Sequence, residues 1–253
     1  GFNGIPEFPL ERLAGDPDNG GPDAALTPIV PDTPDNPVTL DGLSVEGGEL
    51  TVNEANLSNG SLDNPAALTQ NGTFSVSAPD GLSNLSIGGI NVVSNGVIAG
   101  FPQAITTPLG NTLTVTGYNP ATGVVSYSYT LNGNEAHATG DGQNNLSEHF
   151  TVVATDSDGD TATGSLDVNI TDDVPKAVDD SNAGTATSTH LTLDGNVLTN
   201  DVQGADRVPT GPDSGPITAG TFTGTYGTLV LNANGTYTYT LNTGTPGFQA
   251  LHE

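Results

Sequence analysis

Asp156-Ser-Asp-Gly-Asp160 sets three carboxylates at alternate positions with a glycine inside the turn. Side chains at i, i+2 and i+4 of a tight loop can converge on one hard cation, since Ca2+ accepts about six to eight oxygen ligands in a pliable shell. The spacing is not that of an EF-hand, which needs Gly one residue after its third ligand and Glu at its last position. Thr161 and Asp167 stand there instead, and no helices flank the loop. The Gly-Gly-x-Gly-x-Asp nonapeptide of calcium β-rolls is also absent. The same five residues equally suit a polar hairpin turn of the Asp-Gly kind, which needs no ion.

Two more acidic pairs follow, Asp172-Asp173 and Asp179-Asp180, around Val174-Pro175. Gathered at one junction, such carboxylates repel one another unless a divalent ion sits among them. Glu54, at the end of Thr51-Val-Asn-Glu54, is a further candidate from the same pole, or else a solvated residue at a strand end. Asn200, Asp201 and Asp206 suit a second ion, or the satisfaction of turn backbone by Asn and Asp side chains. The expected cofactor is Ca2+, and the predicted ligands are Glu54, Asp156, Asp158, Asp160, Asp172, Asp173, Asp179, Asp180, Asn200, Asp201 and Asp206.

Other chemistry is scarce. His137, His149, His190 and His252 show neither i, i+4 pairing nor zinc-site spacing and read as surface or turn residues. There is no nucleophile elbow, phosphate-binding loop or dinucleotide fingerprint, and no Trp platform for sugar stacking. Among so many carboxylates a glycosidase pair would be arbitrary. No enzyme is expected. Tyr127, Tyr129, Tyr237 and Tyr239 alternate along strands as cross-strand packing pairs.

The elements that position these groups are legible in the composition and rhythm of the chain. Its 253 residues carry 3 Lys+Arg against 29 Asp+Glu, a formal charge of −26. That balance leaves no footprint for nucleic-acid phosphates and none for an anionic membrane surface. The absence of Cys excludes disulfides, thiolate metal sites and a cysteine nucleophile. No apolar run is long enough for membrane insertion, and the N-terminus lacks the basic-then-apolar layout of a secretory signal. Low hydrophobicity with one-signed charge is also the composition of disorder. Against it stand short β-branched segments that alternate with period two between Asn-Gly, Asp-Gly and Thr-Gly turns.

Those segments predict strands at Glu49–Asn53, Gly72–Ser77, Ser83–Ile87, Asn91–Ile98, Thr112–Tyr118, Gly123–Leu131, Ser147–Thr155 and Thr161–Ile170. Strands at this spacing imply a β-sandwich, here over residues 38–175. Residues 1–37, with Pro at eight positions from Pro6 to Pro37, read as an extended linker. A second module, 176–253, holds Thr189–Leu193, Ile217–Phe222, Gly227–Leu231 and Thr236–Leu241. An internal repeat joins the two: Asn111–Asn132 and Gly227–Asn242 both place an apolar strand, a Gly-containing turn and a Tyr-x-Tyr-Thr-Leu-Asn strand. The first copy is followed by two more strands that have no counterpart in the second. The chain is therefore expected to be a piece of something longer, or to have those strands supplied by another segment.

Ala177-Val-Asp-Asp180, Gly195-Asn-Val-Leu-Thr-Asn-Asp201, Gly204-Ala-Asp206 and Tyr226–Asn242 resemble the cadherin-like VCBS repeats of giant bacterial adhesins. Ala154-Thr-Asp-Ser-Asp-Gly-Asp160 and Ile170-Thr-Asp-Asp-Val-Pro175 are similar to repeats of type I secreted, RTX-class biofilm adhesins. The resemblance covers about residues 40–253. It implies an all-β chain of tandem Ig-like or cadherin-like sandwiches, an extracellular place on the bacterial cell surface, and a calcium-stabilised extender role in adhesion and biofilm formation. The implied partners are neighbouring modules of the same long chain and a surface ligand, glycan or protein. Two alternatives stay open: a strand-exchange filament in which one copy completes the next, and a carbohydrate- or peptide-binding module.

Overall fold

The structure is a computed structural model that describes residues 36–137, 143–208, 210–211 and 215–250. All but the last two residues of the Pro-rich stretch 1–37 lie outside the described residues. Among the described residues the strands are β1 (Thr39–Asp41), β2 (Leu50–Asn53), β3 (Thr69–Ser77), β4 (Leu82–Ile87) and β5 (Ile90–Ser94). Next come β6 (Val97–Ile98), β7 (Gln103–Thr106), β8 (Thr112–Asn119), β9 (Val124–Thr130) and β10 (Asn145–Asp156). The series closes with β11 (Thr161–Thr171), β12 (Thr192–Asn196), β13 (Gly220–Thr223), β14 (Gly227–Leu231) and β15 (Thr236–Leu241). Among the described residues helix is confined to two 3-10 turns, Glu54–Asn56 and Pro65–Leu68, and one short helix, Pro246–Gln249. No helix among the described residues is long and apolar enough to cross a membrane.

Two sheets form a sandwich. One runs β1-β3-β9-β8-β7 and the other β2-β11-β10-β4-β5-β6. Neighbours are antiparallel except β2 and β11, which run parallel. Period-two alternation supplies the filling: Phe74, Val76, Leu113, Val115, Val125, Tyr127 and Tyr129 from the first sheet meet Leu85, Ile87, Phe150, Val152, Leu166, Val168 and Ile170 from the second. Tyr129 and Phe150 bridge the sheets with ring centroids 6.3 Å apart, within the range of favourable tilted contacts. The tyrosines of the first repeat hairpin are thus core residues, as their alternation predicts.

The boundaries differ from expectation where turns intervene. Asn91–Ile98 is two strands, because Asn95 and Gly96 take φ of 50° and 73°, the paired positive values of a tight hairpin turn. Thr189–Leu193 gives way to β12, because Thr187 and His190 close a turn of their own through backbone bonds of 2.8 and 3.1 Å. Strands β1 and β7, three and four residues long, are too short to leave a periodic signal.

A third sheet, β12-β15-β14-β13, holds the second repeat hairpin. Its register puts Leu193 and Leu229 opposite Tyr239, and Leu231 opposite Tyr237. One face is therefore apolar, while the other carries mostly Thr. Among the described residues no second sheet covers the apolar face, and these side chains stay half-buried. Residues 176–253, expected as a sandwich module incomplete at its C-terminal end, contribute this one four-stranded sheet among the described residues.

The loop after β12 returns to the sandwich. Ala205 is buried in the sandwich core cluster, and Asn59 Nδ2 donates to its carbonyl at 2.8 Å. Gly204 permits this docking: it has φ +75°, and a Cβ there would stand 2.4 Å from the Asp173 carbonyl oxygen, a contact no side chain tolerates.

Candidate metal centres

The hairpin between β10 and β11 decides where the acidic residues go. β11 has 11 residues, so its ends lie roughly 33 Å apart at the rise of an extended strand. Asp156–Asp160 sit at the start of β11 and Asp172-Asp173 beyond its end. They occupy opposite poles of the sandwich, and the single junctional cluster expected from the sequence is two clusters. Glu54 belongs to the pole of Asp172, not to that of Asp156.

At the first pole, carboxylate oxygens of Asp80, Asp156 and Asp158 lie within 4.8 Å of one another. Asp80 comes from the β3–β4 turn and receives the backbone N–H of Asn36 at 2.9 Å. Asp156 ends β10 and is only 2% exposed. Its Oδ1 accepts the N–H groups of Gly159 and Asp160 at 3.1 and 2.8 Å, while its Oδ2 is buried with no hydrogen-bond partner. A hydrogen bond from Asp158, joined by these turn N–H groups and opposed by burial, holds the Asp156 carboxyl below the usual range. Asp160 contributes backbone to the turn, and its carboxylate is not among the three that converge. Asp80 was missed because it is 76 residues upstream, in a turn whose Asp-Gly sequence explains itself.

At the second pole, parallel register pairs Asn53 with Thr171, so the next residues along, Glu54 and Asp172, leave the sheet side by side. His137 joins them, and one donor atom from each residue lies within 4.8 Å of the others. Glu54 is fully buried. Its Oε1 accepts the Glu135 N–H at 2.6 Å and lies 3.1 Å from His137 Nε2. Its Oε2 and His137 Nδ1 are buried without hydrogen-bond partners among the described residues. Burial pushes the Glu54 carboxyl up, against those hydrogen bonds and the nearby imidazole, with the charge of Asp206 adding to the rise. Burial likewise raises Glu135, whose Oε1 accepts Asn111 Nδ2 at 2.7 Å. His137, expected at the surface, has a side chain 4% exposed. No spacing rule could have found it, because it stands 83 residues from Glu54.

The remaining predicted ligands do other work. Asp173 clasps Ser61, taking its backbone N–H at 2.8 Å and its hydroxyl at 2.6 Å. Asp201 Oδ1 accepts the Val178 N–H at 2.7 Å, and Asn200 Nδ2 donates to the Asp179 carbonyl at 3.1 Å. Both therefore satisfy backbone. Asp206 parts from them and accepts Asn134 Nδ2 at 2.7 Å at the second pole. Asp179 and Asp180 are exposed and belong to neither converging group among the described residues.

Compared with known proteins, the chain matches no family model and no curated protein sequence.

Proposed function

We propose that this chain is a calcium-stabilised structural module of an extracellular bacterial adhesin, built to be strung end to end with similar modules. The observation that carries it is Asp156: its buried Oδ2 has no hydrogen-bond partner among the described residues, and one of its carboxylate oxygens lies within 4.8 Å of those of Asp80 and Asp158 at a pole of the β-sandwich. Buried polar atoms are almost always satisfied, and three convergent carboxylates are the donor set of a hard, oxygen-seeking divalent ion. The incoming chain at Asn36 is bonded to Asp80, one of the three, so an ion there ties the arriving strand to two turns. Without it the clustered carboxylates repel one another. The motifs shared with adhesin repeats support the cell-surface setting and the adhesive role. Calcium titration calorimetry on chelator-treated protein tests the reading. Saturable binding weakened by Asp158→Asn is expected, and no heat of binding up to millimolar Ca2+ would remove calcium from the account.

A second reading is favoured by the apolar face of β12–β15. Tyr237, Tyr239, Leu229 and Leu231 are half-buried there with no covering sheet among the described residues, which suits strands donated by another copy. Light scattering separates the two: a monomer at micromolar concentration removes strand exchange, and concentration-dependent polymers support it.

A further inference from the structure

We infer that Glu54, His137 and Asp172 form a binding site for a borderline divalent cation of the Zn2+ class, separate from the carboxylate cluster at the first pole. The inference goes beyond the calcium reading and does not depend on it. Its first support is convergence: one donor atom from each residue lies within 4.8 Å of the others. At tetrahedral angles, ligands about 2.0–2.2 Å from a shared ion stand roughly 3.3–3.6 Å apart, so the donors draw in by up to about 1.5 Å on binding. Its second support is independent. Glu54 Oε2 and His137 Nδ1 have no hydrogen-bond partner, on side chains that are 0% and 4% exposed. A buried polar atom without a partner is expensive unless something is bound, and here two neighbouring side chains each carry one.

Donor chemistry selects the ion. Ca2+ and Mg2+ prefer an all-oxygen shell, whereas an imidazole nitrogen with carboxylates suits Zn2+ and its neighbours. The site is also built into rigid elements. The parallel β2–β11 register sets Glu54 beside Asp172, and the Glu135 N–H, bonded to Glu54 Oε1 at 2.6 Å, anchors the segment that carries His137. Three protein ligands leave a coordination position for water. A bound ion would fasten the 131–137 segment to the ends of two strands, where the Gly204–Arg207 loop also docks.

The test uses the whole chain, stripped with chelator and titrated with Zn2+, with Co2+ as a visible-absorbing substitute. One Zn2+ per chain is expected, retained against millimolar Ca2+. His137→Gln should weaken Zn2+ at least about tenfold, since losing even an outer-shell partner costs about 10–100-fold. It should leave the calcium response intact, and Asp158→Asn should do the reverse. In the wild type, the imidazole resonances absent from His137→Gln should shift on adding Zn2+, a readout that does not depend on the variant's stability. Absent Zn2+ binding, unchanged affinity in His137→Gln, or displacement by Ca2+ at equivalent concentration each overturns the inference. So does an imidazole that titrates with pH yet ignores Zn2+, which would make His137 the counter-ion of Glu54.

Discussion

Asp158→Asn separates two electrostatic states of the first pole, and its effect on stability should change sign with calcium. Asp158 is exposed, so the variant disturbs no packing. In chelator the wild type must hold three carboxylates within 4.8 Å of one another, where like charges repel. The amide removes one charge and still offers a donor, so the metal-free variant should melt no lower than the wild type. With calcium the order reverses. Extracellular carboxylate sites bind with Kd of about 10⁻⁴–10⁻³ M, and an ion at about 100 times Kd adds about 2.7 kcal/mol to folding. For a unit the size of Asn36–Glu253, each kcal/mol moves Tm by about 2–4 °C, so the wild type should gain about 5–11 °C. A tenfold weaker variant keeps about 1.4 kcal/mol of that gain, or roughly 3–6 °C. The assay is a pair of thermal melts, in chelator and in calcium, on both proteins. Equal calcium shifts, or a variant less stable by the same margin in both buffers, would refute the reasoning.

Ser61→Ala breaks the 2.6 Å bond to buried Asp173; a hydrogen bond to a charged group is worth about 1.5–3 kcal/mol, so Tm should fall by roughly 3–12 °C. That loss should be the same with and without calcium, and an unchanged melt would show the clasp to be idle. Tyr129→Phe removes the 2.6 Å hydroxyl bond to Glu148 and should cost about 1.5–3 kcal/mol in urea unfolding, with no effect on metal affinity. Burial, with a smaller push from Glu49, raises the Tyr127 phenol to about 12. A raised pKa contributes stability that is intact below the ordinary value near 10 and is lost as pH climbs through about 12. An alkaline titration should therefore show a late phenolate step coincident with loss of the β-sheet signal, and a single early step without unfolding would contradict the buried placement.

Much of the fold was written locally. Glu148–Thr155 and Ser165–Ile170 alternate with period two, and that alternation alone tells which side chains face inward. Asn71-Gly72 has the composition of a tight turn, yet it lies within β3, where residues 72 and 127 pair. A Cβ at Gly72 would strike the Tyr127 ring at 2.5 Å, so the glycine serves cross-strand packing. The convergence of Asp156 and Asp158 was likewise visible in their spacing. Asp80, His137 and the clasp between Ser61 and Asp173 were not, because each depends on a partner far away in the chain.

Residue order by itself determined an all-β chain, its charge and most of its strands, because alternation and turn residues act over a few neighbours. Only the tertiary structure decided which carboxylates meet. A hairpin sends Asp156 and Asp172 to opposite ends of β11, and a parallel pairing brings Glu54 beside Asp172. Side chains distant along a polymer become neighbours through strand register, and register is set by the burial of the whole core.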